Sequence, residues 1–113
     1  MKGEELALTC FQMISFAGDA RSKFILAVRR AKEGHLEEAR ELMSEGKKQF
    51  IAAHQFHAAF LAAESGEEET PFSVILLHAE DQLMSAETME IMAAEIVDIC
   101  QELAELKAEL HKE

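Results

Sequence analysis

The sequence predicts an all-α fold: a three-helix, up-down-up bundle that takes in residues 1–113 as one domain. Three observations carry this. Alanine, leucine, methionine and glutamate are abundant, and straight-chain side chains of this kind lose little freedom in a helix. Apolar residues recur at helical spacing, whereas β-branched residues are sparse and never alternate over a useful length. Breaks at Glu33-Gly34 and between Ser65 and Pro71 divide the chain into three long segments.

The first helix is expected from about Glu4 to about Lys32, with Leu8, Phe11, Ile14, Phe24 and Val28 as its apolar stripe. Gly18 interrupts it. Glycine is roughly 1 kcal/mol less favourable than alanine inside a helix, so a bend or a close packing contact is the alternative reading there. Gly34 suits a left-handed cap. The second helix is expected from about Leu36 to about Glu64, with Leu42, Phe50, Ala53, His57 and Phe60 on one side and Gly46 as a weak point. The polar run Ser65 to Thr70 reads as an exposed connection. The third helix is expected to begin near Pro71, with Thr70 as its N-cap, and to run towards the C-terminus. Met89, Met92, Ile96, Ile99, Leu103, Leu106 and Leu110 form a heptad seam, and Val74, Leu77, Met84 and Ile91 form a second stripe. One face would fill the core and leave the other for a partner, most simply an identical subunit.

The formal charge of -11 is unevenly spread. Residues 1–50 hold nine basic and eight acidic side chains, a net of +1, and residues 51–113 hold two and fourteen, a net of -12. Phosphate neutralisation needs a basic surface, so nucleic acid is excluded as a partner, and an anionic membrane surface for the same reason. A basic protein partner fits better. No apolar stretch approaches the roughly 20 residues of a membrane span, so no direct membrane insertion is expected. There is no signal-peptide pattern either. Cys10 and Cys100 form no CxxC pair, and two reduced, packed cysteines suit a cytoplasmic protein.

The chemistry concentrates at His78. From Phe72 to Leu106 there is no lysine or arginine, and eight carboxylates are present, among them Glu80 and Asp81. Asp81 is three residues beyond His78 and shares its helix face. Imidazole ordinarily titrates near about 6.5, so its neutral form is abundant at pH 7 and can attack a phosphoryl group. Phosphoryl transfer depends mostly on positioning and charge stabilisation, and a partner could supply the donors. On spacing alone, a packed structural histidine is the commoner outcome. His54 and His57 are three apart but have no acidic or thiol ligand within a turn, which favours packing or interface roles over metal binding. His35 and His111 read as surface residues. Asp19 and Arg21 read either as a surface pair or as residues that shape the cleft near His78.

Three segments carry a resemblance. Leu76-Leu77-His78-Ala79-Glu80-Asp81-Gln82-Leu83-Met84 resembles the active-site helix of the lactose/cellobiose-type IIA component of the bacterial phosphotransferase system. Ala17-Gly18-Asp19-Ala20-Arg21-Ser22 is similar to that family's first-helix signature, and Ala53-His54 to a pair in its second helix. The segments are co-linear and at matching separations, and the resemblance spans essentially the whole chain.

The resemblance implies a homotrimer in which His78 accepts a phosphoryl group from the histidine-containing phosphocarrier protein. His78 then passes it to a cysteine of a IIB component during sugar uptake, and the family's sugars make a beta-linked disaccharide the expected one. It further implies that Asp81 lies at the trimer axis and holds a divalent metal ion, with magnesium expected. Converging carboxylates without a cation would repel, which gives the metal a physical motive. Glu80, Gln82 and Asp19 are the expected site-shaping residues. The sequence departs from the family at Glu80 (commonly glutamine), Gln82 (histidine), His57 (glutamine) and Ala58 (threonine). A glutamate beside a phosphohistidine would add like charge, or would accept a hydrogen bond from the protonated imidazole. The other reading, of a different class, is a helical regulatory or interaction module that kept the fold without phosphoryl turnover.

Overall fold

The computed structural model describes residues 3–64 and 73–112. Its elements are three α-helices: α1 (Gly3–Lys32), α2 (Leu36–Glu64) and α3 (Val74–Leu110). No strand occurs among the described residues. The α1–α2 corner closes as the sequence indicates. Gly34 takes φ +90°, its N–H donates to the Ala31 carbonyl at 3.0 Å, and the His35 N–H donates to the Arg30 carbonyl at 2.9 Å. Those two bonds are the Schellman pattern, which satisfies carbonyls at the helix end. The cap of α3 differs from expectation. Ser73 is extended, and its Oγ accepts from the Leu76 N–H at 3.2 Å, so α3 starts at Val74. Thr70 and Pro71 lie outside the described residues.

The core runs along α1 at alternating steps of four and three: Leu6, Cys10, Met13, Ala17, Ala20, Phe24, Ala27 and Ala31. Against it α3 places Ala79, Leu83, Ala86, Ala93 and Val97, and α2 places Ala39, Ala53 and Phe60. Two of the expected α1 stripe residues, Leu8 and Phe11, are each 60% exposed. The expectation that one of the two large-residue stripes of α3 fills the core is also overturned. Val74, Leu77, Met84 and Ile91 are all exposed, as are Met92, Ile99, Leu103, Leu106 and Leu110. Met89 and Ile96 are half-buried at the margin. Small residues win the inner face because they let helix axes approach closely, and the rod is only 19 Å across. Gly46 belongs to the same device. It is buried, and a Cβ there would stand 2.6 Å from Cε1 of Phe24. Gly18 is the reverse case: α1 passes through it unbroken, and an added Cβ would meet nothing within 4 Å.

Candidate functional site

The outward face of α3 has a register of its own. Val74, Leu77, Asp81, Met84, Thr88 and Ile91 follow steps of three and four and are all exposed. That is the spacing of a coiled-coil seam, and Asp81 is one of its two polar members. His78 directly follows the seam residue Leu77, and Glu80 directly precedes Asp81. The two therefore lie on opposite flanks of the seam, since residues two apart on a helix do not face each other.

On one flank, His78 is exposed and Gln82 is half-buried one turn below it. Gln82 Oε1 accepts a hydrogen bond from Arg21 Nη1 of α1 at 3.1 Å. A cation thus reaches the His78 end of α3 from another element, where α3 itself has no lysine or arginine before Lys107. Arg21 Nε is enclosed and makes no hydrogen bond. Asp19 does not join this group. It faces α2, where Oδ2 accepts from Gln49 Nε2 at 2.7 Å and stands 3.3 Å from Lys23 Nζ. Of the two readings of Asp19 and Arg21, the surface pair is not formed and only Arg21 reaches the His78 flank: two positions apart on α1, the residues serve different neighbours.

On the other flank, Glu80 Oε1 lies 3.0 Å from His57 Nε2 of α2. Glu80 meets His57 and not the His78 of its own helix, as the expected hydrogen bond to a protonated His78 imidazole would require. Glu80 and His57 are two of the positions at which the sequence departs from the resembled family, and they touch. His57 also stacks on Phe60 at 6.5 Å between ring centroids and meets His54 edge-on at 6.1 Å, which fits packing better than metal binding. Beneath this flank Cys10 is fully buried, and its thiol is pushed up by burial first and by the Glu80 charge second.

Among the described residues, no group of three or more His, Cys, Asp or Glu side chains is placed to hold a metal. Asp81 offers a single carboxylate on an open face. Its oxygens suit a hard divalent cation only if further carboxylates converge on it. Among the described residues no helix is long and apolar enough to cross a membrane.

Comparisons with known proteins bear on the family and the fold. Residues 8–101 match the family model for the lactose/cellobiose-specific IIA subunit of the phosphotransferase system. The chain is 34% identical over 102 residues to the lichenan-specific phosphotransferase enzyme IIA component of Bacillus subtilis, covering 90% of this chain and 93% of the relative. It is 42% identical over 89 residues to the oligo-beta-mannoside-specific EIIA component of the same organism, covering 79% and 81% respectively. Among solved structures, the cellobiose-specific enzyme IIA from Bacillus anthracis superposes with a TM-score of 0.86 at 37% identity, over 92% of this chain and 94% of that one. Sequence reasoning missed Arg21 as a contact of Gln82 and His57 as the partner of Glu80. Both are contacts between helices, and helical periodicity within one segment carries no information about them.

Proposed function

The chain belongs to the lactose/cellobiose-specific IIA family, whose members carry phosphoryl groups in sugar uptake, and from that premise we propose that His78 is the phosphorylated residue. The supporting observation is its position: an exposed imidazole on a rigid helix, open to a protein partner. A neutral ring nitrogen of His78 attacks the phosphorus held by a histidine of the phosphocarrier protein. The new N–P bond forms as the old one breaks, and the bonding pair stays with the departing imidazole, which recovers its proton from solvent. In delivery a cysteine thiolate of a IIB component attacks the same phosphorus. A P–S bond forms, the N–P bond breaks, and His78 regains its lone pair. No residue of this chain needs to touch the sugar. The relatives named for lichenan and oligo-beta-mannosides favour a beta-linked saccharide.

The working unit in this reading is a homotrimer built on the exposed seam of α3. Seam residues that find no place in the core of one subunit would be buried against two copies. Asp81 then converges with its two counterparts at the axis, where a divalent ion, magnesium by the hardness of the oxygens, would offset their repulsion. The ion would supply charge compensation and no chemistry at His78. In a parallel trimer the Glu80 flank of one copy faces the His78 flank of the next. The bond from Glu80 to His57 holds that carboxylate back from the phosphoryl group.

The test is labelling with phosphoenolpyruvate, the general first enzyme and the phosphocarrier protein. The parent protein takes up acid-labile phosphate and releases it to a IIB component, and His78→Ala takes up none. Equal labelling of His78→Ala would overturn the assignment. Label that enters and never leaves would favour a regulatory module instead.

A further inference from the structure

We infer that the side-chain amide of Gln82, held by Arg21, is the hydrogen-bond donor that this subunit itself presents to the phosphoryl group on His78. The inference rests on His78 being the carrier residue. Gln82 lies four residues beyond His78 and shares its face. Side chains on a helix lean towards its N-terminus, so Gln82 leans towards His78.

The amide has two ends with opposite roles. Its oxygen, Oε1, is taken by Arg21 Nη1 at 3.1 Å. That bond settles which end faces α1 and leaves the Nε2 hydrogens as the end available to His78. Nε2 makes no hydrogen bond among the described residues. A guanidinium cannot release its proton, so the carbonyl is polarised at every working pH, and the N–H bonds become better donors. The enclosed, unpaired Arg21 Nε is the second sign of a constrained arrangement. Buried polar atoms without a partner are exceptions in folded proteins and call for a reason. Here the reason is that the guanidinium is placed for Gln82 at the expense of its own pairing. Arg21 is thus a positioning residue, and Gln82 is the group that touches the phosphoryl oxygens.

Gln82→Glu separates this role from a structural one. A carboxylate keeps the contact with Arg21 and keeps α1 and α3 joined, but it offers no donor and adds negative charge. The experiment measures the equilibrium between phosphorylated carrier protein and phosphorylated IIA, alongside thermal unfolding of the unphosphorylated protein. In Gln82→Glu we expect unfolding to be unchanged or later and the transfer equilibrium to fall by roughly tenfold or more, as for loss of one hydrogen bond to a charged group. Arg21→Met should lower it less, because the amide remains but is free to turn, and Arg21→Lys should lie between Arg21→Met and the parent. In nitrogen–proton spectra of the phosphorylated parent, the Gln82 side-chain amide protons move downfield, and in Arg21→Met that shift shrinks. If Gln82→Glu is phosphorylated to the same equilibrium as the parent, Gln82 is only an interhelical strut and the inference fails while the carrier reading stands. If the parent itself takes up no phosphate, the carrier reading fails and this one with it.

Discussion

The inner and outer faces of α3 are both apolar, but they are built from side chains of different size. The inner face is Ala79, Leu83, Ala86, Ala93 and Val97, three of the five being alanine. The outer face is Val74, Leu77, Met84 and Ile91, then Met92, Ile99, Leu103, Leu106 and Leu110. Small residues admit close approach of helices that the chain brings together by itself. Large residues left at 50–77% exposure are the signature of a face completed by something else. Asp81 sharpens the contrast, since an ionised group is excluded from the inner face and acceptable on the outer one only with a cation or water beside it.

The largest effect should come from charging the outer face. In the proposed trimer, Met84→Asp would bring three new carboxylates together one turn from Asp81, so that assembly should give way to folded monomer at micromolar concentration. Sedimentation equilibrium with circular dichroism reads both quantities. Asp81→Leu is the opposite change. It removes the proposed ion's ligands and should leave the proposed trimer intact or tighter, because an uncompensated buried charge is strongly destabilising. A trimer that survives Met84→Asp would remove the outer face as the interface. Metal that stays bound to Asp81→Leu would remove the axial site.

A second comparison uses one substitution at two places. Gly46→Ala drives a Cβ to 2.6 Å from the fully buried Phe24 ring, and overpacking of this kind is expected to destabilise by about 1–3 kcal/mol despite the better helix former. Gly18→Ala meets open space and should stabilise by up to about 1 kcal/mol. Urea unfolding midpoints moving in the same direction would show that the packing account of Gly46 is wrong.

Most of the fold was legible because it depends on local signals. The three segments, the Gly34 cap and the C-terminal reach of α3 all follow from periodicity and punctuation. The core was not legible from the largest apolar residues. The eye follows Leu8 and Phe11 or Met92 and Ile99, whereas the buried line in α1 passes through Cys10, Ala17, Ala20 and Ala27. Its four-three rhythm was present in the sequence, but alanine is weakly apolar and common on surfaces, so the rhythm carries little weight until a neighbour is known. The same holds at the site. His78 and Asp81 stood out by type and spacing, while the pairings of Gln82 with Arg21 and of Glu80 with His57 span 61 and 23 residues of chain.

The His57–Glu80 contact offers a smaller effect with a clear sign. At 3.0 Å, with side chains 18% and 32% exposed, the pair is partly shielded from solvent, and a double-mutant cycle should give a coupling of about 1 kcal/mol. The double change His57→Gln with Glu80→Gln should lose less stability than the two single changes added together. Additive single losses would mean that the two departures from the family are unrelated.

The smallest expected effect is alkaline and belongs to the inner side of the bundle. Burial, then the Glu80 charge, raise the Cys10 thiol above its ordinary value of 9.0. The folded chain therefore keeps a proton that the unfolded chain gives up. This contribution to stability is fully present below pH 9 and is lost as pH rises through the folded-state value. Unfolding free energy should decline above pH 9 in the parent, and Cys10→Ala should decline less steeply over the same range. Because the Glu80 charge is the second cause, Glu80→Gln should also shallow the slope, by less than Cys10→Ala does. Equal slopes in all three proteins would place the alkaline sensitivity elsewhere and would detach Cys10 from the His57–Glu80 flank.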